Sequence, residues 1–198
     1  MKLNRTYLLF LAAVAAVAVL AIPASASAAE WLREGKPFAE AVEMKLTGGE
    51  VVEVGEPGEK DVMLCESNLT ITTEGGSTGQ AGYSVAPATC MGLAGRLAEC
   101  TATAVSPTGT PWALTVNATD LTAKGVKVDY SLNAGCPIKT IEISIPELTV
   151  VPFEEPSSIR LFEWSTEVTG KVNGESAAIG YFGSSSFPEA EVGKYGIG

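Results

Sequence analysis

The residues of this chain that could do chemistry are carboxylates and cysteines, because the sequence contains no histidine. Without imidazole the chain cannot build a Ser-His-Asp or Cys-His catalytic site, a histidine general base, or a zinc or copper site with histidine ligands. The main groups that remain are 23 acids, 13 lysines and arginines, 4 cysteines and hydroxyl side chains. This set favours a non-enzymatic protein, either a structural module or one that binds an extracellular ligand or partner, and we expect no catalytic residue, no bound metal and no cofactor.

Acid–base catalysis by carboxylates is the enzymatic chemistry that the sequence leaves open. Glu154 and Glu155 lie in a proline-flanked segment, and Glu163 directly precedes Trp164. A carboxyl group beside an indole is typical of the environment that raises the pKa of an acid in sugar-cleaving sites. The alternative function is therefore a carboxylate-based polysaccharide hydrolase, which requires two acids facing each other across an aromatic cleft. With 23 acids in the chain, one acid next to a tryptophan is also expected by chance.

Calcium binding is the other chemistry that acids could support. Residues 56–61 form an acidic turn, and Asp120 closely follows Asn117. Neither segment has the alternating ligand spacing of a calcium loop. We therefore expect both to be solvated turns.

Three tryptophans could line a ligand groove. Trp112 and Trp164 lie in alternating strand patterns, which favours core positions, with a ligand-groove role as the alternative. Trp31 is expected to pin the start of the domain onto its body.

Residues 1–28 have the three parts of a secretory signal peptide. Two basic residues precede an apolar run over residues 7–22, and Pro23 is followed by small residues with an A-x-A exit. We expect cleavage after Ala28 or Ala29 and release as a secreted or cell-envelope protein. The alternative is an uncleaved anchor that tethers an extracellular domain, because the apolar run is only slightly shorter than the roughly 20 residues of a membrane span.

The four cysteines predict two disulfides, because an even count in an exported chain is typical of a disulfide framework. Four cysteines allow three pairings. We expect Cys90–Cys100, which would close a short loop of small residues, and Cys65–Cys136, which would join segments far apart in sequence.

The chain is acidic, with a formal net charge of −10 at pH 7. Removal of residues 1–28 would take away 2 of the 13 basic residues and none of the 23 acids, which leaves −12. Such a surface repels nucleic acid phosphates and anionic lipids, so we expect an extracellular ligand or protein as the partner. The remaining chain of about 170 residues fits one domain over residues 29–185, followed by a Gly-rich tail over residues 186–198.

Apolar and polar residues alternate with period two, which predicts strands with one buried face. The clearest runs lie at residues 42–46, 112–116, 126–132 and 141–145. Turn signals separate such runs, among them Gly48-Gly49, and Asn173-Gly174 is the strongest hairpin signal. Their spacing is typical of an antiparallel β-sandwich or a partly closed barrel, with about eight to twelve strands.

Several residues and short segments form a series of landmarks along the chain. They are Trp31 with Gly35, a strand ending at Cys65, Gly75-Gly76 with Gly79, Cys90, Cys100, Pro111-Trp112-x-Leu114 and the segment from Gly125 to Cys136. In these landmarks the chain resembles a group of exported proteins of soil actinobacteria to which no activity is assigned. The resemblance implies an extracytoplasmic β-rich protein, and it carries over no catalytic or binding residue.

Overall fold

The computed structural model describes residues 29–55 and 59–198, at Glu154 and Glu155 for the backbone alone. The predicted signal peptide and residues 56–58 of the acidic turn lie outside these ranges. Within them the chain forms β-strands, turns and short 3-10 segments, and it forms no α-helix. In the same ranges no helix has the length and apolar character needed to cross a membrane.

Thirteen strands follow one another in these ranges. They are β1 (Trp31–Arg33), β2 (Lys36–Pro37), β3 (Val42–Val54), β4 (Asp61–Thr73), β5 (Thr78–Val85), β6 (Met91–Ala94), β7 (Ala102–Thr108), β8 (Trp112–Val116), β9 (Leu121–Leu132), β10 (Thr140–Glu155), β11 (Ser158–Val172), β12 (Glu175–Ser186) and β13 (Tyr195–Ile197).

Eight of these strands pair in a closed antiparallel ring. The order is β10–β11–β12–β3–β4–β5–β8–β9, and β9 pairs again with β10. The antiparallel all-β fold predicted from the alternation is therefore confirmed, and its main sheet closes on itself. Closure gives each strand of the ring two neighbours and encloses a core between the walls.

Strand β9 changes its neighbour half-way along its length. Leu121–Lys124 pair with β8, whereas Lys127–Leu132 pair with β7 on the same side. Gly125 lies at this change with φ +68°, a conformation that costs glycine little. β7 thus extends the wall beyond the end of β8.

The predicted alternation correctly identifies which side chains face the interior. Val126, Val128, Tyr130 and Leu132 are all buried, and the residues between them are exposed or half-buried. The Asn173-Gly174 turn is confirmed as well, because it joins β11 to β12 with both residues at positive φ.

The turn predicted at Gly48-Gly49 is wrong. β3 continues through both glycines, and its pairing with β4 runs without a break. The reason lies in the neighbouring strand, because a Cβ on Gly48 would lie 1.8 Å from the carbonyl oxygen of Ser184 in β12. Glycine at this position allows close strand contact rather than a reversal of the chain.

The ends of the described chain meet in a small second sheet of order β13–β1–β2. Trp31 is fully buried there, as its predicted pinning role requires, and it pairs with Ile197. Residues 186–198, predicted as a Gly-rich tail, contain β13. Phe187 and Tyr195 are buried and stack with their ring centroids 5.0 Å apart, so this segment is packed onto the fold.

All four cysteines form disulfides, as predicted, but the predicted pairing is wrong. The bonds are Cys65–Cys90 and Cys100–Cys136. Met91 pairs with Leu64 between β6 and β4, which brings Cys90 beside Cys65 with their Cα atoms 4.0 Å apart. The second bond similarly flanks the β7–β9 pair. The short loop from Cys90 to Cys100 is closed by backbone hydrogen bonds rather than by sulfur, including one from Gly92 N to Cys100 O at 2.8 Å.

Candidate functional site

The two tryptophans predicted as core or groove residues line one internal cavity. Trp112 and Trp164 are 5% and 6% exposed, and the apolar cavity between the ring walls has a volume of about 40 Å³. Trp112 donates its indole N–H to Thr108 O at 3.0 Å and stacks on Tyr83. A cavity of this size leaves room for little more than one water molecule, so it does not form a ligand site. Trp164 also forms part of the lining of a groove on the outer face.

The carboxylate–indole pair predicted at Glu163 and Trp164 does not form. Successive strand residues point to opposite faces, so Trp164 faces the interior and Glu163 is exposed on the outside. The indole therefore cannot desolvate that carboxyl group. The side chains of Glu154 and Glu155 lie outside the described part of the chain.

Two of the acids considered for calcium, Asp61 and Asp120, bind protein groups. Asp61 accepts hydrogen bonds from Nε and Nη2 of Arg96 at 2.9 and 2.7 Å. Asp120 accepts a hydrogen bond from Asn117 Nδ2 at 2.6 Å within their turn. The first interaction links β4 to a segment 35 residues away, and the second stabilises its own turn.

Sequence reasoning missed a buried acid at the centre of the ring. Glu50 on β3 is fully buried, and it accepts hydrogen bonds from the hydroxyl groups of Tyr83 on β5, Tyr130 on β9 and Tyr181 on β12. The bonds from Tyr130 to Oε1 and from Tyr181 to Oε2 are both 2.6 Å long. This Glu50 cluster joins β3 to three other strands of the ring through its interior.

Burial raises the pKa of the Glu50 carboxyl group, against the three tyrosine hydrogen bonds, which lower it. Burial and the neighbouring carboxylate also raise the pKa of each tyrosine hydroxyl well above 10. The phenols therefore remain protonated donors, and among the described residues no lysine or arginine pairs with Glu50. The cluster can hold a proton, and Glu50 at its centre is fully shielded from solvent in the fold. We interpret it as an internal hydrogen-bonded hub.

The sequence did contain a signal for this hub. Met44, Leu46, Val52 and Val54 occupy the inward positions of β3, and the same period places Glu50 among them. An acid at an inward position marks a group that needs hydrogen-bond partners. The wrong turn at Gly48-Gly49 interrupted the period and concealed this.

An open groove of about 790 Å³ crosses the outer face from β10 to β4. Two neighbouring rows of outward side chains, each running across the strands, form and border it. The Glu163 row consists of Val151, Glu163, Ser184, Gly49 and Glu66. The Phe182 row consists of Ser165, Phe182, Val51, Leu64 and Met91.

Small residues form the floor in the middle of the outer groove. Ser184 and Gly49 face each other across β12 and β3, and Gly183 lies beside them. A Cβ on Gly183 would lie 2.2 Å from Cζ2 of Trp164, so only glycine lets the indole pack against this strand. The groove thus has a floor of backbone and small side chains, with large apolar side chains along one border.

The structure also brings together two acids that the sequence did not single out. Asp129 and Glu142 face each other across β9 and β10, and burial, followed by the charge of Glu142, raises the pKa of the Asp129 carboxyl group. Lys127 and Lys171 line the same open depression, and Lys171 Nζ lies 3.5 Å from a Glu142 carboxylate oxygen. None of the described residues lining this depression is aromatic.

Comparisons with protein-family models, with curated proteins and with solved structures find no match for this chain.

Proposed function

We propose that this protein is an exported, non-enzymatic binding module that contacts an extracellular partner through the outer groove. The observation that carries the proposal is a contiguous apolar border on the outside of the ring. Within the Phe182 row, Phe182, Val51, Leu64 and Met91 are consecutive neighbours across the strands, and Leu64 and Met91 are 37% and 52% exposed. Contiguous exposed apolar surface of this kind marks interaction sites on proteins.

Export is the second part of the proposal. Residues 1–28 have the pattern of a signal peptide, and two disulfides are typical of proteins that work in oxidising compartments. The resemblance to exported proteins of soil actinobacteria supports the same compartment.

A neutral solvatochromic dye such as Nile red tests the groove. We expect the dye to bind the protein with enhanced fluorescence, and Leu64→Asp to abolish most of the enhancement, because a carboxylate would disrupt the apolar border. Val192→Asp is the matched control, since Val192 is 38% exposed and lies outside the groove. Equal loss in both variants, or no enhancement in the wild type, would contradict the proposal.

A carboxylate-based polysaccharide hydrolase is the second candidate, and the facing pair Asp129 and Glu142 favours it. A carboxyl group with a raised pKa beside a second acid is the pattern of an acid–base pair. Turnover of a panel of polysaccharides and glycosides separates the two functions. The binding module predicts no turnover, whereas turnover that Asp129→Asn abolishes would replace it with the hydrolase.

A further inference from the structure

We infer that the outer groove binds an extended cationic segment of another polypeptide, in which two lysines or arginines four positions apart enclose two apolar residues. The inference rests on the proposed binding function and specifies the chemistry of the partner. It follows from the charge of the groove, from the spacing of its acids and from the strand pairing around it.

The Glu163 row carries two acids, one on each side of its small residues Ser184 and Gly49. Glu163 is the one charged residue among the described residues that line the groove, and Glu66 lies at the far end of the Glu163 row. Both are exposed, and neither has an ion-pair partner in the described part of the chain. Elsewhere on the surface Glu43, Glu53 and Glu142 are each paired with a lysine. The groove thus offers two acids that a cationic partner can bind.

The spacing of these acids suits an extended chain. Glu163 and Glu66 are separated by three strand intervals, which is about 14 Å at the usual distance between paired strands. An extended polypeptide rises about 3.3 Å per residue, so residues i and i+4 are about 13 Å apart and point to the same side. Cationic residues at these two positions can therefore reach both acids at once.

The apolar border lies on the other side of such a segment. The side chains of residues i+1 and i+3 of an extended chain point to the side opposite those of i and i+4. They would therefore contact Phe182, Val51 and Leu64 in the Phe182 row. Residue i+2 passes over Ser184 and Gly49, where the low floor leaves room for a small side chain. The groove is thus complementary to the order cation, apolar, small, apolar, cation.

The ring itself excludes binding by strand addition at this place. β12 is paired with β11 on one side and with β3 on the other, and β3 is paired with β4. Their backbone groups are engaged in the sheet, so the segment must cross the strands and bind through side chains. Such binding depends on charge and apolar contact, and it weakens with salt.

Amide chemical shifts of the folded protein test the inference with three end-blocked pentapeptides. The first has the order lysine, leucine, serine, leucine, lysine; the second has the same composition rearranged as leucine, lysine, serine, lysine, leucine; the third replaces both lysines of the first with glutamate. We expect the first peptide to shift the Gly49 and Gly183 resonances and to bind about fivefold more tightly than the second. The third should not shift them.

Two variants test whether Glu163 and Glu66 are the acids that bind the lysines of the first peptide. Glu163→Gln and Glu66→Gln should each weaken the first peptide about two- to fivefold, the range of an exposed ion pair. Glu175→Gln, at an exposed acid in the β11–β12 hairpin, is the matched control and should leave the affinity unchanged.

The outcomes separate this inference from the function on which it rests. Equal shifts with the lysine and glutamate peptides would overturn the cationic partner and leave apolar binding in the groove intact. Equal affinity for the two lysine peptides would overturn the i, i+4 spacing. If the groove resonances move with none of the peptides, the inference falls, and the dye experiment decides separately whether the binding function falls with it.

Discussion

Burial of the Glu50 carboxylate costs free energy, because a buried charge loses the solvation that water provides. Three phenols compensate by donating hydrogen bonds to the two carboxylate oxygens. Each donor comes from a different strand, so the hub stabilises one specific closure of the ring over others. Removal of the carboxylate would leave several buried hydroxyls without partners, and each such group costs about 1–3 kcal/mol.

The stability of the fold should depend on pH through Glu50. In the unfolded chain the carboxyl group has its ordinary pKa of 4.5, and in the fold this pKa is raised. Between the two values the folded protein keeps a proton that the unfolded chain has released. The contribution of the protonated Glu50 to the free energy of unfolding is thus fully present below pH 4.5, and it is lost as the pH rises through the folded pKa.

We expect Glu50→Gln to remove this dependence. The glutamine keeps an acceptor oxygen for the phenols but cannot titrate. Urea denaturation at a series of pH values should therefore show the wild type losing stability relative to the variant by at most about 1.4 kcal/mol per pH unit across the window. Glu175→Gln should keep the wild-type slope. Tyr181→Phe removes a hydrogen bond that lowers the Glu50 pKa and should extend the window to higher pH. Parallel stability curves for the wild type and Glu50→Gln would contradict the interpretation.

At the scale of elements, local patterns predicted the strands and one hairpin, whereas contacts between distant strands could not be predicted. The alternation over residues 126–132 identifies a buried face because period two depends only on neighbours in sequence. The turn predicted at Gly48-Gly49 is wrong because these glycines are needed for the close approach of β12, which lies far along the chain. The disulfide pairing failed for the same reason, since it follows from the pairing of β4 with β6.

The two disulfides should contribute comparable stability, because this contribution grows only with the logarithm of the length of the closed loop. The separations are 25 residues for Cys65–Cys90 and 36 for Cys100–Cys136. The chain-entropy relation then gives about 3.5 and about 4 kcal/mol. We expect the paired alanine variants of each bond to lose these amounts of free energy of unfolding in denaturant titrations. Non-reducing peptide mapping should find the same two links, and a peptide joining Cys90 to Cys100 would contradict the structure.

At the scale of the whole molecule, the outer groove depends on features that no single segment contains. Its two rows combine residues of six strands, and the register between β11, β12, β3 and β4 determines which side chains become neighbours. The contact between Val51 and Leu64 could not be predicted from the sequence, because it follows from the pairing of β3 with β4. Glu163 and Trp164 were candidate residues from the sequence that reach the groove, Glu163 on its outer face and Trp164 from beneath Gly183.

The residues that would begin the chain after signal-peptide cleavage also belong to the scale of the whole molecule. Trp31 begins β1, and Glu30 exchanges backbone hydrogen bonds with Gly198, with N–O distances of 2.8 and 3.1 Å. Cleavage after Ala28 or Ala29 would therefore leave a chain whose first residues join the small sheet. We expect mass spectrometry of the protein released by a secreting host to find Ala29 or Glu30 at the N-terminus. Replacement of Ala28 by aspartate should block processing at that bond, because the signal peptidase cleft takes small side chains. An intact N-terminus in the membrane fraction of the wild type would instead support the tethered alternative.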